Sequence, residues 1–311
     1  MSTFAKYLLL GILFLSFNLP SGAQMTVSTE PQSVIAVFEA MYRYDFIDAE
    51  KKLRELNATN IPQDQIDLAH VNLLWWWLIS GDESRDYENL MAAILNRIIN
   101  RIDTKPSSQM TDQEVFTLVH SFAYLTRVDI FREKYLKGIV NLRHTLKFLE
   151  ISLRDAERYD KFLMISGLYN FFAAAAQKEY PLFTPFFALG PSFNRDKGFS
   201  ELLRCSRMDN LLIRNESLYY LMKIDYQLEK KYDDALRLAD ELIVKYPFNL
   251  IYHFHRFMIL IEADRKPEAL EQYSKMMVVA LNAPGLNPLQ KAHLIDIAKK
   301  RLRKEKINPA I

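Results

Sequence analysis

Three features of this sequence predict an all-α protein built from paired, repeating helices. First, Asp233-Asp234-Ala235-Leu236 is echoed by Pro267-Glu268-Ala269-Leu270, which sets Ala235 and Ala269 34 positions apart. That is the period of a helix–turn–helix unit, which buries its apolar face only by stacking on its neighbours. Second, only 8 glycines occur in 311 residues, well under the ~7% norm, while the abundant Leu, Ala, Lys and Glu suit helix interiors. Third, a content of 50% hydrophobic and 25% charged residues is enough for a substantial core and too apolar for disorder.

Within the first unit, Tyr219, Met222, Lys223 and Tyr226 belong to one helix, and Lys230 to Asp234 form the turn. Ala235, Ala239 and Leu242 run along the second helix, which Pro247 closes because proline cannot continue it. A small residue at Ala235 lets the paired helices approach closely. The tyrosines supply large apolar area with a polar tip.

On these residues the chain resembles the tetratricopeptide repeat family. Tyr219 stands where that pattern has Trp and Met222 where it has Leu; Tyr226, Ala235 and Pro247 match directly, and Lys223 replaces a Gly. The second unit keeps Ala269 and Tyr273, with His253, Arg256 and Phe257 at the Trp, Leu and Gly places and Pro284 just beyond the closing position. The clear resemblance covers about a fifth of the chain and implies a right-handed helix-pair solenoid, an α-α superhelix of about 12–14 helices.

From the N-terminus, Lys6, the 11-residue apolar run Tyr7 to Phe17 and Ser21-Gly22-Ala23 read as a secretory signal over residues 1–23, cut before Gln24. The run is short for a bilayer span, although an uncleaved anchor is the alternative. No Cys follows the small residues to accept a lipid. The expectation is an exported, periplasmic or secreted protein with one domain over 24–311 and no integral membrane span. A single cysteine, Cys205, excludes an intramolecular disulfide, so the fold must be held by packing; Cys205 reads as a buried small hydrophobe. The net charge of +2 implies no electrostatic pull toward nucleic acid or anionic lipid.

Gln32 to Tyr44 and Phe46 to Leu56 read as two helices joined at Asp45. Ala49, Leu53 and Leu56 on the second echo the alanine-bearing helix of the C-terminal units. Pro62 opens a helix that stops at Gly81. It contains Trp75-Trp76-Trp77, which cannot all face one neighbour; either the helix is buried on most sides or one Trp stacks on a ligand. Asp86 to Arg101 is the next helix, Thr111 and Glu114 form a capping box, and Phe131 to Arg154 is a long helix. The stretch Lys161 to Arg207 is irregular. It has a helix with Gly167 and an alanine run suited to close contact, then an aromatic-rich connection punctuated by Pro181, Pro185, Gly190, Pro191 and Gly198. That connection is either an elaborated inter-repeat link or a lid. Pro288 to Arg303 is the last helix, and its basic run from Lys299 to Lys306 complements the helix dipole.

No metalloprotease helix, phosphate-binding glycine loop, nucleophile elbow or paired-cysteine zinc motif is present. His253 and His255, two apart, point to different sides of a helix and cannot clamp one metal. The expectation is therefore a non-catalytic protein with no cofactor. In helix-pair solenoids the first helix of each unit lines the inner face, which the phase of Ala235 assigns to Tyr220, Ile224 and Gln227 and that of Ala269 to Ile251, Phe254 and Met258. This apolar and aromatic wall is either open or covered by the protein itself. If open, it suits an extended peptide or a partner helix. The alternative is a small apolar ligand or glycan held near Trp76 and Tyr169.

Overall fold

The computed structural model describes residues 31–82, 86–179, 190–283 and 285–307. Its described residues form 13 α-helices and no strand, and no described helix is long and apolar enough to cross a membrane. The expected signal over residues 1–23 and the prolines Pro181, Pro185 and Pro284 lie outside the described residues. The helices are α1 (Gln32–Tyr42), α2 (Phe46–Leu56), α3 (Gln63–Ile79), α4 (Tyr87–Ile102), α5 (Asp112–Phe131), α6 (Tyr135–Arg154) and α7 (Asp160–Glu179). They continue as α8 (Arg195–Cys205), α9 (Leu211–Ile224), α10 (Tyr232–Lys245), α11 (Leu250–Glu262), α12 (Lys266–Asn282) and α13 (Pro288–Lys304). A five-residue π-helical turn, Asp225–Glu229, extends α9.

Contacts divide the chain into two compact units. The first holds Asn60–Asn72 and Glu88–Ser217, the second Gln32–Thr59, Leu73–Tyr87 and Leu218–Ile311.

Four helix hairpins close through a left-handed residue, α1–α2, α5–α6, α9–α10 and α11–α12, the third with a wider turn than the others. Each has one residue in the left-handed region: Tyr44 (φ 65°), Glu133 (φ 61°), Lys230 (φ 58°) and Asp264 (φ 55°). The next amide reaches back to a carbonyl in the last helical turn: Asp45 to Ala40 (3.0 Å), Lys134 to Asp129 (2.7 Å) and Arg265 to Leu260 (2.9 Å). This Schellman-type closure satisfies carbonyls that the helix end leaves orphaned. Five residues after each left-handed position stands a small, buried residue: Ala49, Gly138, Ala235 and Ala269. At Gly138 even an added Cβ would sit 3.1 Å from Ile130 Cγ1 on the preceding helix. The repeated feature is thus a geometry, a left-handed turn followed by a close helix crossing, and the residue types at the turn are free to vary.

In the first unit α5 is buried along its length from Val115 to Ile130, polar residues included. Tyr124 donates to Asn72 (2.6 Å), Asn141 to Asp129 (2.8 Å) and Thr126 to the Phe122 carbonyl (2.7 Å), so these groups enter the interior with partners. The Arg127 guanidinium lies 4.5 Å over the Tyr124 ring. The helix expected from Phe131 starts at Tyr135 instead, because the Glu133 turn ends α5 first. Helices α7 and α8 cross backbone to backbone at Gly167 and Gly198, where a Cβ on Gly198 would lie 2.4 Å from the Phe171 nitrogen. Gly198 therefore belongs inside α8 and not in the aromatic connection expected from sequence. The Glu201 carboxylate accepts from Ser166 (3.0 Å) and from Asn170 (3.4 Å), while burial pushes its pKa up.

In the second unit, Trp75, Trp76 and Trp77 are all buried. Gly81 ends α3 at φ 88°, and a Cβ there would collide with the His293 side chain on α13. Asn287 and Gln290 cap α13 reciprocally, and both also bond to the end of α3, Asn287 to Asp82 (3.0 Å) and Gln290 to Ser80 (3.1 Å).

Candidate binding groove

The side chains of α9 and its π turn meet those of α11 within the second unit, and most of the residues expected to line a binding face gather there. Their exposure differs along the wall. Phe254, Met258 and Gln227 are half-buried, whereas Tyr220 and Ile224 are 1% and 0% exposed and Ile251 is buried as well. The partly exposed stripe of α9 runs one residue earlier, through Tyr219 and Lys223.

The π turn explains this offset. In the α11–α12 hairpin, the amide after the left-handed residue spans five positions, from Arg265 to Leu260. In the α9–α10 hairpin it spans six, from Lys231 to Asp225 (2.8 Å). One extra residue between α9 and the turn rotates everything upstream by about 100° relative to a phase counted back from Ala235. Counting from Ala269 crosses no such turn; of the three residues that phase assigns, Phe254 and Met258 are half-buried and Ile251, a turn earlier, is buried.

Polar groups form a chain across the wall. Gln227 Nε2 donates to the Tyr226 hydroxyl (2.7 Å), Tyr226 lies 3.0 Å from His255 Nδ1, and Tyr219 lies 3.0 Å from His255 Nε2. A neutral imidazole has one donor and one acceptor. The order that satisfies each group runs from Gln227 through Tyr226 and His255 to Tyr219. Burial, with Lys223 nearby, pushes the His255 pKa down to about 3, so the ring is neutral at pH 7. The Lys223 ammonium stands 5.4 Å over the Tyr219 ring, a cation–π arrangement.

Behind this wall the rings continue inward. Tyr219 neighbours Tyr252, Tyr252 neighbours Tyr246, and Tyr246 neighbours Tyr42 (5.3 Å between centroids). Tyr42 and Tyr44 both meet the Trp76 ring edge-on, at 6.2 and 6.0 Å. Trp76 thus serves as a packing centre for the α1–α2 turn. The Tyr44 hydroxyl is buried with no hydrogen-bond partner among the described residues, and burial beside Tyr219 raises its pKa well above 10.

Tyr169 lies in the first unit. It is buried on α7, its hydroxyl donates to the Pro191 carbonyl (2.5 Å), and burial raises its pKa to about 12. His253 and His255 do diverge: His253 bonds the Pro247 carbonyl (2.9 Å) and Gln272 (3.1 Å), away from the Tyr219–Tyr226 pair. Among the described residues no group of three or more His, Cys, Asp or Glu is placed to hold a metal ion.

Sequence reasoning missed Tyr219, Lys223, Tyr226 and His255 as groove residues. Repeat spacing accounts for the tyrosines as packing with a polar tip, and the two-residue spacing of His253 and His255 excludes only a shared metal, so neither pattern marks the groove. Nothing in the residue types of Asp225–Glu229 marks a π turn. No protein-family model, curated protein or solved structure matches the chain.

Proposed function

We propose that this chain is a non-catalytic helical-repeat scaffold whose hairpins stack as a right-handed, tetratricopeptide-like solenoid. Its α9–α11 wall receives an extended peptide or partner helix. One observation carries the reading: Phe254 and Met258 stay half-exposed beside a polar row of Tyr219, Lys223, Gln227 and His255. Apolar anchors flanked by groups that hydrogen-bond suit recognition of a peptide, whose side chains fill the apolar sites while its backbone meets the donors. The recurrence of a left-handed turn residue in four hairpins supports a repeat, since each helix pair closes in the same manner. The N-terminal apolar run and the small residues after it support export to a periplasm or cell exterior.

Site-specific photo-crosslinking tests the groove. A benzophenone side chain at Phe254 or Met258 is expected to trap a discrete partner, and one at the exposed Val244 on α10 is expected not to. Phe254→Asp should remove the adduct formed from Met258. Adducts of equal yield from all three positions, or none from Phe254 and Met258, would reject this wall as the partner site.

A further inference from the structure

We propose that the outward face of α13 docks on an anionic lipid surface. Six of the chain's 40 lysines and arginines fall between residues 299 and 306, against one carboxylate, Glu305. The net charge of +2 is therefore owed to this segment. Gln290, Leu294, Ala298 and Leu302 form the buried stripe of α13. Lys299, Lys300, Arg303 and Lys304 are exposed on the other side. Arg301, which turns inward, is the cation that pairs, with Glu262 (2.9 Å) and Glu305 (3.2 Å).

The helix dipole accounts for only part of this pattern. Its effect is confined to the last turn, which holds Arg301, Arg303 and Lys304. Lys299 and Lys300 lie before it, and a dipole does not require four cations to face outward together.

Two aliphatic side chains share the cationic face. Leu289 is 55% and Ile297 38% exposed; Ile297 stands in one i+3/i+4 row with Lys300 and Lys304, and Leu289 lies two turns before it on the same side, beyond His293. That combination favours a lipid headgroup region over a nucleic acid. Aliphatic groups gain by entering the acyl boundary beneath anionic headgroups, whereas a phosphodiester backbone offers them nothing. The face presents three lysines, point charges suited to a diffuse anionic layer, and a single arginine. Asp296 is the one acid exposed on α13 among the described residues; it shares the face one turn before Lys299 and Lys300 and leaves a surplus of three positive charges there.

Sedimentation of the full chain with vesicles tests the proposal. Vesicles of about 30 mol% phosphatidylglycerol in phosphatidylcholine should bind it, pure phosphatidylcholine should bind it far less, and the difference should vanish near about 0.5 M salt. The apolar N-terminal run partitions into both vesicle types, so the phosphatidylglycerol-dependent part isolates the electrostatic face. Replacing Lys299, Lys300, Arg303 and Lys304 together by Gln should lower that part by about 600-fold, at about fivefold per cation. Should that variant melt below the parent protein, Lys299→Gln with Lys300→Gln, outside the last turn, should still cost about twenty-fivefold. Binding independent of phosphatidylglycerol, or unchanged in a folded variant, overturns the assignment. Tighter binding of a DNA duplex than of the vesicles at the same salt also overturns it.

Discussion

Tyr44 shows how one side chain can be held against its own backbone preference. A left-handed conformation costs a bulky residue of order 1–2 kcal/mol, and the corresponding residues Glu133, Lys230 and Asp264 are exposed polar groups. Tyr44 is fully buried between Phe46 and Trp76, so aromatic packing offsets the strain. Asp225 carries a different local cost. Its carboxylate is buried in the π turn with Oδ1 unpartnered among the described residues, and burial, with Asp234 nearby, raises its pKa to about 6. Between about pH 4 and 6 the unfolded chain ionises this group and the folded chain does not, so its destabilising effect grows over that range and is full above it. Asp225→Asn is therefore expected to stabilise the protein by roughly 1–3 kcal/mol at pH 7 and by little at pH 4.5. Urea midpoints at the two pH values check this; an equal effect at both would show that charge burial is not the cause. At this scale the sequence disclosed Ala235 and Ala269, because small residues recur after 34 positions. It did not disclose Tyr219 over Tyr220, because one extra backbone residue in the π turn leaves no mark in side-chain chemistry.

At the scale of elements, caps and turns settle where helices meet. Asn249 is the N-cap of α11, accepting from Ile251 (3.1 Å) and Tyr252 (3.3 Å). Its amide nitrogen also donates to the Tyr42 carbonyl at the end of α1 (2.9 Å), 207 positions away in the chain. One fully buried side chain thus satisfies a helix start and a helix end. Asn249→Ala should cost about 2–4 kcal/mol, the sum of a lost cap and an orphaned buried carbonyl. Asn249→Asp, which keeps the cap but not the donor, should also destabilise. Chemical denaturation measures both, and a cost under about 1 kcal/mol for Ala would mean that the bond to Tyr42 is dispensable. The Thr111–Glu114 capping box was legible because its chemistry is local. The hairpin turns at Tyr44 and Glu133 were not, because the usual marker of a left-handed position is Gly or Asn and neither stands there. Gly198 misled for the opposite reason. A glycine among aromatic residues and prolines suggests a loop, whereas here it lets α8 touch the backbone of α7.

For the whole molecule, buried histidines make stability depend on acid. His120 is enclosed on α5, its Nδ1 bonded to the Phe116 carbonyl (2.9 Å). Burial, with the cations Lys161 and Arg127 nearby, lowers its pKa from 6.5 to about 3. Between those values the unfolded chain binds a proton that the folded chain refuses, so the contribution of His120 is full above pH 6.5 and is lost as pH falls toward 3. The slope is about 1.4 kcal/mol per pH unit for one such group. His255 acts in the same sense, while Asp225, with its raised pKa, opposes them between about pH 4 and 6. Urea midpoints should fall from pH 7 to pH 5, and His120→Gln should fall less by one proton's worth. An identical slope in that variant would remove His120 from the account. By itself the sequence determined the helical class, the recurrence at Ala235 and Ala269 and the apolar character of α11, because periodicity and composition act through local geometry. Only the tertiary structure decided that four hairpins turn at a left-handed residue, that Trp76 and Tyr220 face inward, and that His255 joins two tyrosines. Those outcomes depend on helix rotation and on contacts between residues far apart in the chain, and a single π turn resets the rotation without changing the residue pattern.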